Sequence, residues 1–312
     1  IGPTKVALIG AVSLSLGLVI SGFATTIPVL YLGFGVLGGI GVGFIYGVPI
    51  ATCVKWFPDK KGLISGLAVA GFGLGSIIFA PICTALISSI GPSKTFMVQA
   101  AITMVGIAIG APLMKAAPDG YAPKGWTPPV PKNGETAVQN FKSGDMVKTM
   151  QYWFLLIMYL FINMSGPTVI GHASPISRQI AGLPPVEAGG IVSVLSITNT
   201  IGRFLGGAAS DKFGAKRVVT VIYVVNTVLL ISLSFMTSFT LIAIGIGGLA
   251  VCFGAMMGSY PSIVLDYFGP KYYSTNYALI FLAYGIGGII GPRIAVSSVA
   301  NTGSYTMAFI IL

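Results

Sequence analysis

The sequence is poor in charge, and poorest in acid. Of its 312 residues only 8% are charged, while 54% are hydrophobic. Soluble domains carry about 25% charged residues, so a water-soluble surface is excluded, and the mean hydropathy of +0.91 agrees. The seven acidic residues avoid the apolar interior, with Glu187 and Asp266 reaching only the edges of apolar stretches. Paired intramembrane carboxylates and a nucleophile triad are both missing, so enzyme chemistry has no visible carrier. His172 is the only histidine. The three cysteines, Cys53, Cys83 and Cys252, fall in apolar runs with neither metal-ligand spacing nor a disulfide framework. No metal and no cofactor is expected. An initiator Met and a signal-peptide pattern are also absent.

What is abundant is apolar run and glycine. A bilayer core about 30 Å thick needs roughly 20 apolar residues of helix. Nine stretches qualify: 5–25, 28–54, 62–89, 95–115, 151–181, 186–208, 217–237, 239–265 and 274–299. A tenth begins near Tyr305 and reaches Leu312, too short to cross. The 43 glycines fit membrane helices, where they let backbones approach closely. Residues 116–150 differ, with Pro118, Pro123, Pro128, Pro129 and Pro131 among scattered charges. They read as a polar linker with little structure of its own, joining a block at 1–115 to a block at 151–312.

The net charge of +10 lies in short connections, which points to topology rather than to nucleic acid. If the spans alternate sides, Lys5, Lys55, Lys60, Lys61, Lys115, Lys124, Lys132, Lys142, Lys148, Lys212, Lys216, Arg217 and Lys271 share one side, and only Lys94 and Arg178 lie on the other. Basic loops stay in the cytoplasm, which puts the linker there and makes the cell membrane the expected location.

An internal repeat runs in parallel orientation. Trp56-Phe57-Pro58-Asp59-Lys60 matches Tyr267-Phe268-Gly269-Pro270-Lys271, and Gly71-Phe72-Gly73-Leu74-Gly75 matches Ala283-Tyr284-Gly285-Ile286-Gly287. Some transporters consist of two such halves with a substrate site near the midplane; chance similarity between glycine-rich helices is the alternative. With equal halves, the first half holds four of six expected spans and the last span is incomplete. Two N-terminal helices are then expected to lie outside this chain.

Several residues stand out on their own chemistry. Arg203 sits inside an apolar span, where a charge costs about 2.5–3.5 kcal/mol on insertion scales. A guanidinium matches a carboxylate bidentately; the alternative is an arginine reaching the interface. His172 is a gate or proton-exchange candidate, or a neutral ring satisfied by helix backbone. Asp211, with Lys212 and Arg217, is either a latch pairing with helix ends or a solvated turn. Arg293 is expected to reach the headgroups, and Gly73, Gly75, Gly285 and Gly287 to give close helix packing.

Gly207-Ala-Ala-Ser-Asp211-Lys212-Phe213-Gly214-Ala-Lys216-Arg217 resembles the loop motif of the major facilitator superfamily, and Ile1-Gly2-Pro3-Thr4-Lys5 looks like the tail of its first-half copy. Within that superfamily the chain is similar to the oxalate/formate antiporter family. The similarity rests on Gly41-Val-Gly-Phe-Ile-Tyr46-Gly, Trp56-Phe-Pro-Asp-Lys-Lys-Gly62, Gly71-Phe-Gly-Leu-Gly75 and Gly171-His-Ala-Ser-Pro175, and in part on Asn276-Tyr277, Tyr284-Gly285 and Gly291-Pro292. The resemblance implies an all-α fold of two pseudo-symmetric halves and twelve helices, alternating access, and small carboxylates as cargo. It places Arg203 where the family binds substrate carboxylate, and makes Tyr46, Tyr284 and Phe72 substrate-binding candidates. Tyr284 stands where the dianion carrier has a lysine, and Phe253 and Met257 where it has cage aromatics. The resemblance therefore implies a monocarboxylate such as pyruvate, lactate or formate ahead of oxalate.

The expected function is secondary transport of a small carboxylate anion across a lipid bilayer by a monomer, with a proton or counter-anion as possible co-substrate. The alternatives are another small solute, such as a sugar or drug, or a non-transporting sensor or inactive fragment.

Overall fold

The computed structural model describes residues 2–118, 121–123, 140–173, 175–176, 178, 185–236 and 238–312, with backbone alone at 76, 80, 185–194 and 239. The described residues are mostly helical, with no strand among them. Among the described residues, seven helical stretches are long and apolar enough to cross a membrane. The third, Pro58–Leu113, has 56 residues, which at 1.5 Å per residue is about 84 Å, far beyond one bilayer. It folds back at Gly91, whose φ of 81° only glycine adopts cheaply, with Pro92 opening the second arm. Pro185–Phe213 is as long as its neighbours but is not one of the seven. It carries Asn199, Arg203 and Asp211, which lower its apolarity. Counting that helix and both arms of the third stretch, the nine spans read from the sequence each have a helix.

The fold divides into two compact units, residues 1–59 with 78–127 and residues 60–77 with 128–312; the division falls inside a helix. In the first unit, α1 (Pro3–Gly22) packs on a helix that runs from α2 (Ile27–Leu30) through a π-helical stretch (Tyr31–Gly38) into α3 (Gly39–Trp56). The wider turn leaves carbonyls for other donors, and Ser13 Oγ donates to Leu37 O at 2.9 Å. Helix α4 (Lys61–Gly110) supplies its distal part to this unit. Thr4 Oγ1 donates to Met114 O at 3.0 Å and Trp56 Nε1 to Lys115 O at 2.8 Å, closing the unit at its basic end.

The second unit contains the start of α4, a short α5 (Ser143–Met146), α6 (Met150–Gly171), α7 (Pro185–Phe213), α8 (Ala215–Leu233), α9 (Phe239–Phe268), α10 (Tyr273–Thr302) and α11 (Thr306–Ile311). Thr149 caps α6 by accepting the Tyr152 N–H. The chain turns between α7 and α8 at Gly214, φ 86°. On α8, Val221, Val224, Val225, Val228 and Ile231 are exposed, as lipid-facing residues are. Helix α7 is the hub. A Cβ added at Gly202 or Gly206 would fall on the Val251 or Ala255 carbonyl of α9, and one at Gly254 or Gly258 on the Asn199 or Arg203 carbonyl of α7. Gly62, Gly66 and Gly207 bring α4 against α7 in the same way. These small-residue pairs let three backbones touch.

Three expectations need adjusting. The helix expected over 151–181 ends at Gly171, with His172 in its C-cap and helical turns resuming at Ala173. Pro175 has no N–H to continue the ladder. Residues 124–139 of the expected linker lie outside the described residues, but 140–149 have structure of their own. Phe141 N donates to Phe268 O, Asn276 Nδ2 donates to Phe141 O at 2.9 Å, and Met146 is fully buried. Gly73 and Gly287 are close-packing glycines, against Thr200 and Leu160, but Gly75 and Gly285 face open space. Two residues along a helix is about 200° of rotation, so only one glycine of each pair meets the neighbour.

Candidate functional site

Arg203 lies in the part of α7 that α4 and α9 clasp. Its Nε donates to Asn199 Oδ1 at 3.0 Å, one turn back, and its Nη1 donates to the Val69 carbonyl of α4 at 2.7 Å. Neither acceptor is charged, and among the described residues no carboxylate pairs with Arg203. A guanidinium has five N–H donors, so three remain for an anion. Asn199, 6% exposed, is itself oriented by donating from Nδ2 to Ala250 O at 3.0 Å.

Phe253 and Met257 are one turn apart on α9, both buried. Phe253 lies over Gly166 of α6, whose missing side chain makes room for the ring. Met257 accepts a hydrogen bond at its Sδ from Tyr159 Oη at 3.3 Å. From there an aromatic column crosses the unit. Tyr260 stacks on Tyr159 at 4.2 Å, Tyr159 meets Phe281 at 6.0 Å, and Phe281 stacks on Tyr284 at 4.9 Å and 6°. Tyr284 is 39% exposed, so its ring edge is accessible. Phe253, Met257 and Tyr284 are thus linked through one layer of α6, α9 and α10. Tyr159, Tyr260 and Phe281 were not singled out from the sequence. For Phe281 the available signal was the helical spacing of Tyr277, Phe281 and Tyr284.

Asp211 caps α4. Its Oδ1 accepts from the Gly62 N–H and its Oδ2 from the Leu63 N–H, each at 2.7 Å. A carboxylate at a helix N-terminus satisfies orphan donors and meets the positive end of the helix dipole. Beside it Lys61 Nζ pairs with Asp266 at the end of α9. Two acids, one from α7 and one from α9, therefore hold the first turn of α4. Lys212 lies over the Phe213 ring at 5.3 Å, and Arg217 is exposed one turn into α8; neither touches the α4 end in the described contacts.

The remaining sequence candidates are Tyr46, Phe72, His172 and Arg293. Tyr46 is buried on α3 of the first unit. Phe72, on α4, is partly exposed at 37%. His172 caps α6, with Nδ1 at 3.0 Å from Thr168 O and its ring edge-on to Tyr305 at 5.9 Å. That bond to a carbonyl puts the proton on Nδ1, the backbone-satisfied arrangement. Arg293 is exposed on α10, as a headgroup-reaching arginine requires.

Residues 1–292 match the family model described as Major Facilitator Superfamily. The chain belongs to that superfamily. It is 36% identical over 290 residues to an Escherichia coli (strain K12) protein described as an uncharacterized MFS-type transporter, YhjX, covering 92% of this chain and 70% of that protein. It is 29% identical over 313 residues to the oxalate:formate antiporter of Oxalobacter formigenes, covering 99% and 72%. It is 27% identical to monocarboxylate transporter 12 of Xenopus laevis, covering 97% and 70%. Among solved structures it resembles the superfamily transporter FucP in its outward conformation, with a TM-score of 0.73 at 13% identity, over 99% of this chain and 79% of that one. At that identity the likeness concerns the fold, the all-α superfamily fold expected from the loop motif. For a member of this superfamily, Asp211 in the last turn of α7 and Arg203 within that helix are the two features with chemistry to explain.

Proposed function

We propose that this chain is a secondary transporter of small carboxylate monoanions, and that Arg203 is its carboxylate-binding group. The observation that carries the reading is a partly buried guanidinium, inside an apolar run of sequence, whose described acceptors, Asn199 Oδ1 and Val69 O, are both neutral. An arginine kept at depth without a counter-charge is expensive. An arriving carboxylate offsets that cost through two parallel charge-assisted bonds. Relatives described as an oxalate:formate antiporter and a monocarboxylate transporter support a carboxylate cargo. Tyr284 donates a hydrogen bond in this reading, while Phe253, Met257 and Phe72 shape the apolar part, and Tyr46 is a separate candidate within the first unit. With one cationic group, a monoanion such as pyruvate, lactate or formate fits better than oxalate.

Transport proceeds by alternating access between the halves 1–115 and 151–312. Asp211 is the latch: its grip on α4 holds one state and its release permits the other. Lys212 and Arg217 keep that turn in the cytoplasm beside the linker. The single acid-free core favours exchange of anions over proton symport, with His172 structural. The protein works as a monomer in the cell membrane.

Radiolabelled pyruvate uptake into proteoliposomes tests this, with Arg203→Ala beside the wild type and unlabelled lactate, formate and oxalate as competitors. Saturable uptake that falls at least about a hundredfold in the variant, and is blocked better by monocarboxylates than by oxalate, is the expected result. Equal uptake by a folded Arg203→Ala protein removes Arg203 from the site. Absence of uptake and exchange with all four anions removes carboxylates as cargo.

A further inference from the structure

We infer that Asn199 is the positioning residue of the anion site, and that its neutrality is what leaves the arginine's charge available to a monoanion. This rests on Arg203 being the carboxylate-binding group. Asn199 stands one turn before Arg203 on α7 and is nearly fully buried. Its amide can satisfy both neighbours in one orientation only. Nδ2 must donate to Ala250 O on α9, so Oδ1 must face the Arg203 Nε, as both 3.0 Å distances record. The backbone cannot slide to relax this. Gly254 and Gly202 put α7 and α9 in contact on either side of the pair, where a single added Cβ would strike a carbonyl.

With Nε held by Asn199 and Nη1 by Val69 O, the guanidinium plane is fixed from two sides. One donor on Nη1 and two on Nη2 are left over, and with the plane fixed their directions are fixed too, which pre-organises the group for an anion. An aspartate at 199 would keep the acceptor and nearly the same shape, but it would bring a counter-ion. The pair would then carry no net charge, and an entering carboxylate would compete with a resident one. No other charged residue lies along 62–91 of α4 or 240–265 of α9 to restore the balance. The Ala250 carbonyl would also lose its donor.

The test compares KM and Vmax for radiolabelled pyruvate in proteoliposomes of wild type, Asn199→Asp, Asn199→Ala and Arg203→Ala, alongside the rise in Tm that pyruvate causes in purified protein. Asn199→Asp is expected to raise KM at least about tenfold with Vmax per folded protein little changed, and to abolish the Tm rise. Asn199→Ala, which keeps the charge but frees the guanidinium, is expected to raise KM by less. An Asn199→Asp protein with wild-type KM overturns the inference, as does a fall in Vmax alone in both variants, the mark of a packing role. If Asn199→Asp does not accumulate, Asn199→Ala decides: raised KM at steady Vmax supports the assignment and unchanged KM overturns it. The Arg203→Ala arm separates the layers. Inactive Arg203→Ala beside normal Asn199 variants sinks only Asn199, whereas a fully active Arg203→Ala sinks the anion site itself.

Discussion

The two ends of the second unit are held by different forces. At one end the start of α4 is fastened by ions and hydrogen bonds: Asp211 on the Gly62 and Leu63 N–H groups, and Lys61 on Asp266. At the other, Val169, Ile176, Leu195, Leu233, Ile242, Leu249 and Phe309 form a buried apolar cluster without a charged member. Leu195 and Asp211 are on the same helix, 16 positions apart, about 24 Å at helical rise. Polar contacts at a wet surface exchange readily for water, and each is weak. Apolar packing has no such substitute and loosens only by losing contact over its whole area.

Four measurements bear on the contrast, taken from the largest effect down. Gly258→Leu places a branched side chain on the Arg203 carbonyl and should leave little folded protein, read as loss of a monodisperse peak after detergent extraction. A normal yield would mean that the α7–α9 approach is not needed. Leu249→Ala, in the apolar cluster, should cost about 2–5 kcal/mol of stability, seen as a lower Tm with KM for pyruvate unchanged. Asp211→Ala should do the reverse: Tm falls by the equivalent of only about 1 kcal/mol, the worth of a helix cap, while Vmax drops several-fold. If Asp211→Ala leaves Vmax unchanged, or Leu249→Ala lowers it as much, the division of labour is wrong. Lys61→Ala should be the mildest, about 0.2–1 kcal/mol for an exposed pair, and its effect should fade in high salt. Salt-independent loss would point to a role other than charge.

Much of the fold was legible because a bilayer asks for something local. Roughly 20 apolar residues with few charges can be counted from the sequence, so each of the nine stretches was found. The breaks fell where Gly91, Gly214 and Gly269 supply a positive φ. The helix read over 151–181 is interrupted at His172 and helical again at Ala173, Pro175, Ile176 and Arg178, an interruption that apolarity alone does not show. In the site, Arg203 was visible as a charge in the wrong solvent, and Asp211 as a charged turn after a glycine. Their partners were not. Val69 is 134 positions from Arg203, and Gly62 is 149 from Asp211. Asn199 was within reach, since a side chain four residues back shares the helix face, but nothing marked it until its other edge was seen on Ala250.

The sequence by itself determined that this chain suits a bilayer, which of its runs are long and apolar enough to cross one, which connections are basic, and that one arginine falls inside such a run. These are consequences of composition and spacing along a single helix. Only the tertiary structure decided which glycines touch, which carbonyl receives the Arg203 guanidinium, and which helix end Asp211 holds. Those depend on helices far apart in the chain meeting at backbone distance, and a glycine facing a neighbour reads the same in sequence as one facing open space.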